Sequence, residues 1–343
     1  MLLDFRYYLY KMLKKVLVTV LIIFISLVIF YFYLANRDIP EEINYGVSFN
    51  TLYAKELGLD WRETFKAILD DLGVRRFRLA AHWNMIEPED NKWNFLELDE
   101  QINLATEKDA KIILAVGRRL PRWPECHVPS WAIDKSWEQQ KSEIREYLKE
   151  VVFRYRDNKN IVYWQIENEP FLEVFAKEHC GDLDEEFLKE EIEIVRSLDK
   201  ERPILITDSG NLGTWISPWK LGDSFGTSVY VYFWNKDIGP FKSYLPPSFY
   251  RFKTSLLEKI IKQKESILIE LSLEPWLLQP VVDTPINTQL ERMDVDKFKE
   301  IISFAKETGF KDQYLWGAEW WYFLKQKGND SFWNESKKLF NQN

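Results

Sequence analysis

The chain has 343 residues and a formal net charge of −8, with 46% hydrophobic and 29% charged residues, enough for one large domain with a sizeable core or for two smaller ones. Its first 36 residues hold Arg6, Lys11, Lys14 and Lys15 against Asp4. The rest is therefore more acidic than the whole, and an acidic domain without a basic stripe argues against nucleic acid as a partner. Two cysteines without CxxC spacing and three histidines form no metal-ligand pattern, so neither a metal nor a cofactor is expected. Fifteen Trp, 16 Tyr and 23 Phe imply a heavily packed core, a cleft lined with flat apolar faces, or both.

Residues 16–35 read VLVTVLIIFISLVIFYFYLA. Twenty residues at about 1.5 Å rise match the roughly 30 Å hydrocarbon core of a bilayer. Lys11, Lys14 and Lys15 precede the run and Arg37 alone follows closely. The excess of cations before it predicts a cytoplasmic N-terminus (residues 1–15), a single transmembrane helix (16–35), a linker (36–42) and an extracytoplasmic domain (43–343) in the cell membrane. A cleaved signal peptide would carry a shorter apolar stretch and small residues at its cleavage site. Here Tyr33 precedes Ala35.

No linker or low-complexity run breaks the remainder, which alternates short apolar runs with amphipathic stretches. The pattern predicts strands at 44–49, 75–81, 111–116, 161–166, 203–207, 225–231, 266–271 and 312–316. Helices are expected at 60–72, 95–107, 136–155, 185–198, 212–221, 248–264, 294–308 and 330–340. Eight strand–helix units over about 300 residues fit an α/β fold, a (β/α)8 TIM barrel, preceded by the transmembrane helix. A doubly wound sheet is disfavoured because no Gly-rich phosphate loop follows an early strand.

In such a barrel the reactive residues stand at the C-terminal strand ends. The fourth strand ends in Glu167-Asn168-Glu169-Pro170 and the seventh in Glu270, across the barrel mouth. Two carboxyl groups flanking one bond are what glycoside hydrolysis needs; a separation of about 5–5.5 Å gives retention and a wider one inversion. Asn168 is placed to hydrogen-bond a sugar 2-hydroxyl, although a strand-end turn residue would look the same. Glu274, in the loop Leu273-Glu274-Pro275-Trp276, rivals Glu270 but stands on a looser platform suited to a sugar hydroxyl. Trp83, Trp123, Trp234, Trp276, Trp316, Trp320 and Trp321 lie at or beyond strand ends. Some belong to the core, and Trp83 is carried as a candidate sugar contact. Glu319 either binds sugar hydroxyls or pairs with Arg118 or Arg119. Cys126 and Cys180 fall in neighbouring loops at the mouth, after strands three and four, so a disulfide fits their placement in an oxidising compartment.

At these motifs the chain resembles glycoside hydrolase clan A, the barrels that include cellulase-like and family 42 β-galactosidase-like members. The clan pattern of Asn-Glu ending strand four and Glu ending strand seven is matched by Asn168-Glu169 and Glu270. The resemblance implies Glu169 as acid/base and Glu270 as nucleophile. It further implies that Arg78, in FRLAAHW, supports the nucleophile, that Tyr230 hydrogen-bonds it, and that Trp316 floors the first sugar site. The expected reaction is retaining cleavage of a β-glycosidic bond in an oligo- or polysaccharide. Transglycosylation by the same carboxylates, and a non-catalytic carbohydrate-binding barrel, are the alternatives.

Overall fold

The computed structural model describes residues 2–235 and 237–341. A long helix, α1 (Leu2–Ala35), leads into eight parallel strands: β1 (Asn44–Ser48), β2 (Arg76–Ala80), β3 (Lys111–Val116), β4 (Ile161–Ile166), β5 (Ile204–Asp208), β6 (Ser224–Val229), β7 (Ser266–Ser272) and β8 (Asp312–Trp316). They hydrogen-bond in sequential order and close on themselves, β8 returning to β1 from Asn44↔Asp312 to Ser48↔Trp316. The fold is the TIM barrel expected from the alternation of strands and helices.

The outer ring comprises α2 (Trp61–Asp70), α3 (Leu96–Glu107), α4 (Trp137–Tyr155), α5 (Glu185–Leu198), α6 (Ile216–Leu221), α7 (Pro247–Ile260), α8 (Val295–Lys306) and α9 (Ser331–Phe340). Local chemistry sets several of the starts. Asp60 accepts from the N–H groups of Arg62 and Glu63, and Asp184 and Asp294 do the same for Phe187 and Lys297. Ser136 and Gln139 form a reciprocal capping box at α4. The strands are Ile/Val/Leu-rich because both faces are covered. The main core fills the space between strands and helices, while Ile113, Leu205, Ile267, Ile269 and Tyr314 pack inside the barrel.

The structure departs from the sequence expectations mainly at the mouth. The sixth strand stops at Val229, which leaves Tyr230 in the following loop. That loop folds into a hairpin, Tyr232–Asn235 with Gly239–Lys242. A short helix, Glu173–Cys180, follows β4, and another, Ala318–Gln326, follows β8. The N-terminal helix starts at Leu2 rather than near residue 16. Residues 10–35 are apolar and long enough to cross a membrane, by length and composition. Its last turns lie on α7. The Tyr31 and Ser248 hydroxyls are hydrogen-bonded at 2.9 Å, Arg251 Nε donates to the Ala35 carbonyl at 2.8 Å, and Arg37 pairs with Glu258 at 2.6 Å.

Candidate active site

The end of β4 is backbone under tension. Glu167 has φ 56° and Glu169 φ 43°, in the left-handed region that costs a non-glycine residue about 1–2 kcal/mol. Hydrogen bonds hold the turn there. The Glu167 carboxylate accepts the backbone N–H groups of Arg118 and Arg119, both at 2.6 Å. Asn168 N–H donates to the Arg119 carbonyl at 2.7 Å, and Glu169 N–H donates to Thr207 Oγ1 at 2.8 Å. The carboxylate of Glu167 can reach that position only because residue 117 is glycine: a Cβ there would stand 2.4 Å from Glu167 Oε1, on a backbone with φ +126°.

Arg78 on β2 links three strands from a fully buried position. Its Nε donates to Gln165 Oε1 at 2.8 Å, one terminal nitrogen to Glu270 Oε1 at 2.5 Å, and the other to Asn168 Oδ1 at 2.7 Å. Tyr230 Oη donates to the second oxygen of Glu270 at 3.1 Å. Both oxygens of Glu270 thus receive donors. Glu169 faces the opposite conditions. Its one hydrogen bond at the carboxyl is from Ser228 Oγ, at 2.7 Å among the described residues. Ser228 is the register partner of Glu270 across the β6–β7 pair, so Glu169 is hydrogen-bonded to the strand next to the one that carries Glu270. Burial first, then the charges of Glu270 and Glu125, push Glu169 well above the usual carboxylate range.

Glu274, Trp316 and Glu319 form a second group across the mouth. Arg122 binds Glu274 through both terminal nitrogens, at 2.5 and 3.1 Å, and its guanidinium lies over the rings of Tyr53 and Trp316, 3.3 and 4.5 Å from their centroids. Trp316 Nε1 donates to Glu274 at 2.8 Å. Gly317 (φ +119°) admits this closeness, since a Cβ there would sit 2.9 Å from Glu274 Cβ. Of the two alternatives open for Glu319 from sequence, the pairing with Arg118 or Arg119 is not formed. Glu319 accepts the Asn50 N–H at 2.5 Å and leaves Oε2 without a partner, and burial pushes it up to about 7.

Trp83 corrects the sequence reading. It is fully buried, edge-on to Trp131, with its indole N–H donated to Glu87 at 2.8 Å, so it has no face for a sugar. Trp320 and Trp321 are likewise core. Trp276 stays partly exposed at the mouth, 5.3 Å from Tyr230 and 5.8 Å from Phe233. Cys126 and Cys180 are joined in a disulfide. Sequence reasoning missed Ser228, Arg122 and Glu125. Glu125 is paired with Arg119 Nε at 2.6 Å and sits beside the linked Cys126. A serine, or charges in a loop between prolines, carry no spacing signal of their own.

A closed eight-stranded barrel with carboxyl groups at the ends of its fourth and seventh strands is the architecture of clan A glycoside hydrolases. The family model for cellulase, glycosyl hydrolase family 5, matches residues 45–246, and the chain belongs to that family. Among curated proteins, the β-galactosidase LacA of Lactobacillus acidophilus is 22% identical over 245 residues, covering 65% of this chain and 35% of that protein. The β-galactosidase BgaA of Clostridium cellulovorans is 25% identical over 166 residues, 43% of this chain and 25% of that one. The chain thus spans about a third of the length of the first relative and a quarter of the second. A solved GH5_18 protein from Bifidobacterium longum subsp. longum shares the fold at TM-score 0.55 with 13% identity, covering 80% of this chain and 70% of its own. A β-galactosidase from Bacillus circulans sp. alkalophilus does so at TM-score 0.53 with 14% identity, covering 81% and 51%.

Proposed function

We propose that the protein is a retaining glycosidase that cleaves β-glycosidic bonds of an oligo- or polysaccharide by double displacement. The observation that carries this reading is the contrast between the two carboxyls: Glu270 receives Arg78 and Tyr230 on its two oxygens, whereas burial and neighbouring charge hold a proton on Glu169. A carboxyl that keeps its proton is placed to act as acid, and one held by two donors at a strand end is placed to act as nucleophile.

Glu270 attacks the anomeric carbon while Glu169 gives its proton to the leaving oxygen, and the C–O bond breaks to leave a glycosyl ester on Glu270. The departing aglycone carries the proton away. Glu169, now a carboxylate, takes a proton from water as that water attacks the anomeric carbon, and the bond from that carbon to Glu270 breaks to release the Glu270 carboxylate. Asn168, held by Arg78, presents its amide N–H to the 2-hydroxyl. Trp276 and the free part of Trp316 offer apolar faces to the ring. Glu274 and Glu319 bind sugar hydroxyls once Arg122 shifts. β-Galactosides, on which the curated relatives' names centre, are the first candidates for the substrate panel.

The second part of the proposal is location. Residues 16–35 span the cell membrane once, Lys11, Lys14 and Lys15 stay cytoplasmic, and the domain from residue 43 lies outside, where the Cys126–Cys180 bond persists.

Azide separates the two carboxyl roles. Glu270→Gly should abolish turnover of an aryl β-glycoside, and azide should restore it with a glycosyl azide of inverted configuration as product. Glu169→Gly should give the azide of retained configuration, because azide then meets the glycosyl ester. Rescue of Glu274→Gly with inversion, in place of Glu270→Gly, would overturn the assignment of nucleophile.

A further inference from the structure

The last turns of α1 are fastened along α7, and the order of the contacts fixes a direction. Tyr31 meets Ser248 and Phe252, near the start of α7; its ring centroid is 5.0 Å from that of Phe252. Tyr33 lies beside Lys259, and Arg37 meets Glu258, both in the last turn of α7, while the long Arg251 side chain reaches back to the Ala35 carbonyl. From Tyr31 to Arg37 the chain therefore descends in the same sense as α7. That helix starts at the C-terminal ends of the strands, where the loop after β6 delivers it, and ends where β7 begins. Residues 36–40 accordingly line a cavity with Gln263–Ser266 and Gly309–Asp312, at the opposite face of the barrel. Followed backwards from Tyr31, α1 rises past the start of α7 and projects from the side of the barrel that carries Glu169 and Glu270.

The surface on that side is of the right chemistry. The loops after β5, β6 and β7 are adjacent in the barrel and flank α7. They expose Leu212, Ile238, Tyr244, Leu278 and Val282, with Tyr244 96% and Ile238 70% accessible. Four of the five are aliphatic, a poor match to sugar faces and a good match to acyl chains; a tyrosine among them suits the headgroup layer. There is also no slack: Tyr31, which docks on α7, lies in the last turns of the apolar run that ends at Ala35, so no linker separates the span from the barrel.

We propose that these loops are a membrane-contact surface: the barrel rests on the outer leaflet of a lipid bilayer, with the rim formed by Leu212, Ile238, Tyr244, Leu278 and Val282 in the headgroup layer and the catalytic mouth turned towards it. The inference rests on the reading of α1 as a membrane anchor. Its consequence for that same site is that saccharides held close to the bilayer reach Glu169.

The test uses the full chain in phosphatidylcholine–phosphatidylglycerol vesicles with the native disulfide intact. A single added cysteine, Ile238→Cys, Tyr244→Cys or Lys311→Cys, carries a nitroxide whose collisions with oxygen and with a water-soluble nickel complex are compared. The expected result is a several-fold higher oxygen-to-nickel ratio at 238 and 244 than at 311. Flotation with vesicles after carbonate washing reports the anchor separately. A chain that does not float defeats the anchor and the proposal together. A floating chain whose 238 and 244 labels are as aqueous as 311, or in which 311 is the lipid-exposed site, overturns the proposal and leaves the anchor standing.

Discussion

Glu125 sits where a single charge can be followed through catalysis. Paired with Arg119, it still adds negative potential that helps keep Glu169 protonated. Glu125→Gln should lower the Glu169 pKa, so the alkaline limb of the kcat/KM–pH profile should move to lower pH, by about half a unit to one unit for a screened charge of this kind. A merely structural role for Glu125 would lower activity without moving the limb. Glu319 makes a stability prediction. Its folded pKa of about 7 exceeds the ordinary 4.5, so the folded state keeps a proton that the unfolded chain loses. The contribution of this group to stability should therefore fall as pH rises from about 4.5 to about 7, by roughly 3 kcal/mol. Urea unfolding of Glu319→Gln against wild type at pH 4.5 and pH 8 should show the variant gaining relative stability at the higher pH. The positions of Glu169 and Glu270 were legible because strand ends carry chemistry in this fold, whereas Arg78, in the middle of β2, was legible only through the resemblance to clan A. Trp83 was misread because a tryptophan just past a strand end looks the same whether it turns outward or, as here, packs on Trp131 and Tyr147.

The loop after β3 and the helix Glu173–Cys180 are tied together by the disulfide, and Arg118 reaches the Cys180 carbonyl. Fifty-four residues separate the cysteines, a span for which chain entropy gives about 4 kcal/mol of stabilisation. The Cys126→Ser/Cys180→Ser double variant should lose a few kcal/mol in urea unfolding, and should lose activity before it loses the barrel, because Glu125 adjoins the freed end. Far-UV circular dichroism and aryl-glycoside turnover, measured along one denaturant series, check the order. Element boundaries were readable to within a few residues where periodicity and caps agreed, as at α4 and α5. They were not readable in loops after β6 and β8. There the hairpin and the helix Ala318–Gln326 form from contacts made across the mouth, which no local pattern encodes.

Closure of the whole barrel depends on the two ends of the domain meeting. Beyond β8, α9 packs Phe332 and Trp333 into the core, and Trp333 Nε1, Lys325 and Lys337 converge on Asp71 beside α2. Trp333→Ala removes a fully buried side chain at this seam and should cost about 3–5 kcal/mol in urea unfolding. A value under about 1 kcal/mol, the level of an exposed substitution, would show that the ring closes without it. The eightfold alternation made the barrel legible from sequence. The direction in which α1 meets it was not, because a transmembrane pattern states that a helix crosses and leaves open which side of the next domain it joins.

The disulfide also closes a covalent loop that contains β4 and with it Glu169. A peptide bond cut anywhere between residues 126 and 180 leaves two fragments that stay joined, with Glu169 retained on the same molecule as Glu270. Val174, exposed on the helix Glu173–Cys180, marks one place where a protease would reach. Such a nicked enzyme should run as one species without reductant and as two with it, and should keep turning over until a thiol is supplied.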